Sequence, residues 1–275
     1  MTDPTARIAV IGGSGLYSLF DSDPDSSTSR SLDIGTPYGT ATVTLGRLAG
    51  RDVAFLPRHG AGHSVAPHLV NYRANIWALA SLGVRAIVST AAVGAVSPDV
   101  PVGSLVLTDQ YLDRTQGRAD TFYDEGSVQH LASAEPFCPQ LRALALAELG
   151  TGVVPAGTVV VIQGPRFSTR AESLWFRAAG AHLVNMTLYP EVPLASELNI
   201  GTVNLAYVTD NDANPPGDDG GVGLSADAVF ARLRQAQPRI IAAIEAIVRV
   251  IPDDYSPREA IAPDAVAAVL ARPAS

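Results

Sequence analysis

Residues able to do chemistry are not scattered along this 275-residue chain; they gather at five points, each directly after a short apolar run. Gly12-Gly13-Ser14-Gly15 follows Val10-Ile11, and Arg58-His59-Gly60 follows Phe55-Leu56-Pro57. Thr90-Ala91-Ala92-Val93-Gly94 follows the run at 86–88, Gly164-Pro165-Arg166-Phe167-Ser168 follows Val161-Ile162, and Asp210-Asn211-Asp212 follows Ala206-Tyr207-Val208. Ligands of open α/β sheets bind beyond the carboxyl ends of strands, so in a sheet with a parallel centre these five groups converge on one rim.

Each group suggests a particular chemistry. Arg58-His59 sets a fork of guanidinium donors beside an imidazole, which suits an oxyanion, although a surface ion pair uses the same residues. The glycines at 12–15 let backbone amides and the Ser14 hydroxyl approach a phosphate, and a plain turn has the same composition. A dinucleotide site is disfavoured, because the third glycine of its fingerprint is missing and a long polar loop follows. His59, His63 and His68 are interrupted by Gly60, Gly62 and Pro67, which spoils the helical spacing of a zinc site and favours a metal-free one. Asp210 and Asp212 point to the same side if the strand continues through them, and two partly desolvated carboxylates leave a proton available for donation. A turn or helix cap is the alternative use of that triplet.

The elements that must position these groups follow from periodicity. Strand-length apolar runs occur at 8–11, 53–56, 86–88, 104–107, 159–162 and 203–208. Helical period marks 70–82, 141–149, 169–179, 190–198 and 225–250; in the first of these Val70, Ala74, Trp77 and Ala78 share a stripe and Gly83 supplies the stop. Strands alternating with helices predict a single α/β domain whose central sheet is mixed, largely parallel and flanked by helices. That domain is expected to span 1–251, followed by a tail at 252–275 with a short Ala-rich helix at 263–270 and no function evident from its sequence. Surface loops are expected at 21–31 and 214–223, and no internal repeat is visible.

Composition narrows the function classes. At 47% hydrophobic and 17% charged residues, the chain has enough apolar material for a core and is not globally disordered. A net charge of −8 with no basic cluster argues against nucleic acid as a partner. Cys138 is the sole cysteine, which rules out an internal disulfide and a cysteine zinc cluster and suits a reducing compartment. With no secretory pattern and no apolar stretch near the roughly 18 to 20 residues that span a bilayer, a soluble cytoplasmic protein without membrane contact is expected.

Ile11-Gly12-Gly13-Ser14-Gly15-Leu16, Arg58-His59-Gly60, the run from Val70-Asn71-Tyr72-Arg73 to Leu79, Gly164-Pro165-Arg166-Phe167-Ser168-Thr169-Arg170-Ala171-Glu172 and Asn185-Met186-Thr187 together resemble the trimeric purine nucleoside phosphorylases. The likeness runs in unbroken order over 8–250 and is closest to the branch acting on 5′-methylthioadenosine. It implies cleavage of a glycosidic bond by inorganic phosphate, without metal or organic cofactor, giving adenine and 5-methylthioribose 1-phosphate. Members acting on 6-oxopurine nucleosides or another 5′-modified adenosine are the alternative. By the same resemblance Ser14, Arg58, His59, the Thr90 hydroxyl, the Ala91 amide and Thr187 bind phosphate. Met186 orients the ribose, while Phe167 and Ser168 flank the base. Asp210, with Asp212 beside it, addresses N7 and the 6-amino group. His63 and the neighbouring subunit's His130 stand near the sugar's 5′ end in a homotrimer. Ala226, Val229 and Phe230, on one stripe of the long helix, line an apolar 5′ pocket. The chain departs from the methylthioadenosine branch at Ala92-Val93-Gly94 and at Asn211, both beside the base.

Overall fold

The computed structural model describes residues 6–16, 19–20, 29–213 and 226–274. The loop expected at 214–223 lies outside the described residues, as does the loop expected at 21–31 apart from 29–31. Among the described residues, ten strands form one mixed sheet. Its order is β2 (Arg30–Thr36), β3 (Gly39–Leu48), β4 (Arg51–Pro57), β1 (Ile8–Gly12), β5 (Ala86–Ala95), β9 (Leu183–Asn185), β8 (Thr158–Ile162) and β7 (Gln110–Arg114). β10 (Gly201–Asn211) pairs with β5 along its length and carries β6 (Leu105–Leu107).

Helices cover both faces. In β1, Ala9 and Ile11 enter a core shared with α1 (Tyr72–Ser81), α4 (Leu188–Glu197) and α6 (Pro263–Leu270). Ile8 and Val10 point the other way, into a core shared with α2 (Pro139–Leu149) and α5 (Ala226–Val250). Period-2 alternation with both faces buried explains why β1 reads as an uninterrupted apolar run. α1 shows how local sequence sets a boundary: the Asn71 side chain accepts from Ala74 N at 3.1 Å, and Gly83 ends the helix at φ +85°. None of the helices among the described residues is long and apolar enough to cross a membrane.

All six expected strands are present, but the one begun at 86–88 runs on to Ala95. Thr90 to Gly94 therefore belong to β5 and not to a loop beyond it. β5 pairs in parallel with β1 as far as Ser89 and meets β9, antiparallel, only at Gly94. Between those points one edge of β5 has no neighbouring strand, while β4, β1, β5 and β10 are parallel and β5 and β10 run on together beyond the ends of β1 and β4. A crevice opens where β5 passes from β1 to β9, and this is where the five groups meet. β2, β3, β7 and β9 were not anticipated: β2 and β3 alternate polar with apolar residues, β7 is a largely polar edge strand, and β9 is only three residues long.

The tail after α5 bridges both layers. Tyr255 is buried in the α2/α5 core, whereas Ile261, Val266 and Val269 are buried against α1. Asn199 grips it, donating to Ile261 O at 2.7 Å and accepting from Ala260 N at 2.8 Å.

Candidate active site

The crevice encloses a cavity of about 300 Å³. At one end lies the glycine loop. Gly13 N donates to Thr90 Oγ1 at 3.0 Å, and a Cβ on Gly13 would stand 2.7 Å from Thr90 O, so only glycine allows this approach. Ser14 and Ala91 line the cavity beside it. Thr90 stands beside them, its hydroxyl accepting from Gly13 N and lying 3.3 Å from Ile11 O.

Arg58 leaves the end of β4 almost fully buried, at 3% exposure. Its Nε and Nη2 donate to the two carboxylate oxygens of Glu191 at 2.5 and 2.7 Å, and Nη1 donates to Thr90 O at 2.9 Å. Glu191 lies in the first turn of α4, just after Thr187, which also lines the cavity. The guanidinium thus joins β4, β5 and α4 around the anion end, with its charge balanced by a bidentate partner.

His59 places Nδ1 2.9 Å from Val65 O. Burial, followed by the charge of Arg58, pulls its pKa down to about 4, so the ring is neutral at neutral pH. His63 packs at 4.3 Å between ring centroids from His59 and 5.1 Å from Phe230. Burial lowers its pKa too. Ala226, Val229 and Phe230 line the same wall, at the start of α5.

The other end holds the carboxylates. A register shift between Val208 and Asp210 in the β10/β5 pairing precedes Asp210, and both Asp210 and Asp212 face the cavity. Asp210 Oδ1 lies 2.5 Å from Thr209 Oγ1. A Cβ on Gly94 would be 2.9 Å from Asp210 Oδ2 and 3.1 Å from Asp212 Cβ, so this glycine makes room for the pair. Ser168 and Ser173 both donate to Asp212 Oδ2, Ser173 at 2.6 Å. Burial raises the Asp212 pKa, and the two hydroxyls offset part of that shift.

Phe167 stands half-exposed, and it and Met186 both line the cavity. The loop bearing Phe167 and Ser168 is fixed by a capping box at the start of α3 (Arg170–Ala178), where Thr169 and Glu172 cap each other and Arg166 holds Glu172 through two 2.7 Å bonds. Of the expected residues, His130 lies outside this cavity, exposed on its own chain. Sequence reasoning missed Glu191, Ser173 and Arg118. The last ties Gln163 O, at 3.0 Å, to the Tyr189 carbonyl, and so links the β8 loop to α4. Among the described residues no group of three or more His, Cys, Asp or Glu side chains is placed to hold a metal ion.

The cavity joins a cradle of hydrogen-bond donors to a carboxylate-lined slot, a combination suited to anion-assisted chemistry on a heterocycle. Residues 7–249 match the family model described as Phosphorylase superfamily. The chain is 51% identical over 233 residues to the S-methyl-5′-thioadenosine phosphorylase of Mycolicibacterium smegmatis, covering 84% of this chain and 86% of that one. It is 46% identical over 238 residues to the purine nucleoside phosphorylase of Streptomyces coelicolor, covering 82% of each. A crystal structure of methylthioadenosine phosphorylase from an antarctic soil metagenomic library superposes with a TM-score of 0.83 at 37% identity, covering 98% of this chain and 100% of that one.

Proposed function

The chain belongs to the phosphorylase superfamily, and from that premise we propose that it is a pentosyltransferase that cleaves S-methyl-5′-thioadenosine with inorganic phosphate, giving adenine and 5-methylthioribose 1-phosphate. The observation that carries this reading is that one cavity is lined by the Arg58 cradle, by the Asp210/Asp212 pair and by the apolar side chains of Ala226, Val229 and Phe230. Phosphate is the co-substrate and no cofactor is required.

In this reading Ser14, Arg58, His59, the Thr90 hydroxyl, the Ala91 amide and Thr187 hold phosphate, and Thr90 also secures the Gly13 loop. Met186 packs on the ribose, and Phe167 and Ser168 flank the base. Cleavage builds positive charge on the ribose and negative charge on the purine. Phosphate stabilises and then captures the ribosyl cation, while a protonated Asp210 delivers its proton to N7. A carboxylate at Asp212 accepts from a 6-amino group, which adenine has and hypoxanthine lacks. The 5′ substituent meets His63 and the apolar wall.

The test compares kcat/KM for methylthioadenosine, adenosine and inosine, each with and without phosphate. Methylthioadenosine should lead adenosine by roughly ten- to two-hundred-fold, the discrimination that an apolar pocket achieves, and turnover should require phosphate. Adenosine matching methylthioadenosine would overturn the 5′ assignment, and equal rates without phosphate would overturn phosphorolysis. Inosine leading would favour the 6-oxopurine reading, which the Streptomyces coelicolor relative keeps in view.

The proposed active unit is a cytoplasmic homotrimer in which His130 reaches the neighbouring copy's 5′ subsite. Its exposure outside its own cavity supports that role. Sedimentation at assay concentration should give a trimer, and His130→Ala should raise KM for the nucleoside more than for phosphate. A fully active monomer would sink this assembly.

A further inference from the structure

We propose that His59 recognises phosphate by the proton the anion carries, accepting a P–OH hydrogen bond at Nε2, and that it thereby makes the cradle selective for phosphate over sulfate. The inference rests on the phosphorolysis reading above and adds to it a direction of hydrogen bonding and a selectivity.

The direction follows from the other ring nitrogen. Nδ1 lies 2.9 Å from the Val65 carbonyl, which can only accept, so Nδ1 carries the hydrogen. For Nε2 to donate as well, the ring would have to be cationic. The groups around it oppose that: the Arg58 guanidinium is adjacent, the His63 ring is 4.3 Å away, and the nearby carboxylate of Glu191 is taken up by Arg58 in two hydrogen bonds. The depressed pKa of His59 agrees with this geometry. Nε2 therefore keeps its lone pair, meets no hydrogen-bonding partner among the described residues, and belongs to a side chain that lines the cavity.

A lone pair facing an oxyanion is repelled unless that oxyanion supplies a hydrogen. Near neutrality both common forms of inorganic phosphate retain at least one P–OH, whereas sulfate retains none. Charge gives sulfate no compensation here, because Arg58 is already neutralised by Glu191. Placing the phosphate proton on the oxygen next to His59 also leaves the remaining oxygens anionic for attack on the sugar. No bond to hydrogen breaks in this step; the proton stays on phosphate.

The experiment reads the phosphate KM, the inhibition constant of sulfate competing with phosphate, and the thermal stabilisation by each anion, which needs no turnover. The native protein should prefer phosphate by about ten- to a hundred-fold, the range for leaving one buried acceptor unsatisfied. His59→Phe should weaken phosphate by a similar factor and leave sulfate unchanged or tighter, so that the preference collapses. His59→Gln, whose carboxamide oxygen accepts, should keep part of it. Sulfate binding the native protein as tightly as phosphate would overturn the inference, as would parallel weakening of both anions in His59→Phe, which marks a merely structural role. If phosphate proves unnecessary for turnover, phosphorolysis falls; if it is necessary and the preference survives in His59→Phe, only the role of His59 falls.

Discussion

Asp210→Asn is expected to reduce turnover of adenine nucleosides by about a hundred- to ten-thousand-fold, the range for loss of a general acid, while the protein still folds. The replacement is nearly isosteric. Thr209 Oγ1, 2.5 Å from Asp210 Oδ1, can still donate to the amide oxygen, and the space that Gly94 leaves on the other side remains. What disappears is the transferable proton. Asp212 is assigned to the 6-amino group and not to N7, and the hydroxyls of Ser168 and Ser173, both donating to its Oδ2, act in favour of its ionised form. An amide at 210 can also donate to a 6-oxo group, so the ratio of inosine to adenosine turnover should rise in the variant even as both rates fall. Steady-state rates and a melting curve on the same preparation check this. Unchanged turnover in a folded variant would reduce Asp210 to a turn residue.

How much of this site could be read from the sequence depended on whether a residue's partners were local. The glycine loop, Arg58-His59 and the acidic triplet were legible because each is a contiguous motif directly after an apolar run, the place where open α/β sheets bind ligands. The capping box at Thr169 and Glu172 is likewise a three-residue relation. Glu191 was not legible, because it meets Arg58 across 133 residues and only the three-dimensional path of the chain joins them. An acid between Pro190 and Pro193, flanked by the apolar Leu188, Val192 and Leu194, was the available signal. Ser173 gave none, since a serine four residues into an amphipathic helix looks like any surface hydroxyl, yet it is fully buried against Asp212. The extent of β5 was misjudged for the opposite reason. Thr90 to Gly94 carried the small and polar residues expected of a ligand loop, but they stay in the strand because β10 pairs with it throughout.

Glu191→Gln should be the most damaging substitution for stability, at about 3–5 kcal/mol, because it leaves a buried guanidinium without its counter-charge. The side chains of Arg58 and Glu191 are 1% and 4% exposed, so solvent cannot make up the loss. Burial acts to lower the Arg58 pKa, but the charge and hydrogen bonds of Glu191 more than reverse that, so the arginine stays charged and depends on the glutamate. Glutamine offers one acceptor to a fork that uses two, and its NH₂ group would face one of the guanidinium N–H donors. Phosphate affinity should fall as well, since the fork that aims Arg58 is lost. Stability and aiming are separated by the double variant Arg58→Met/Glu191→Met. Replacing a buried ion pair with apolar side chains is often neutral or stabilising, so unfolding should return toward the native midpoint while phosphate binding stays weak. Denaturant unfolding and the phosphate KM measure the two effects. A single Glu191→Gln variant within about 0.5 kcal/mol of the native protein, the spread of ordinary surface substitutions, would show that Arg58 does not need this partner.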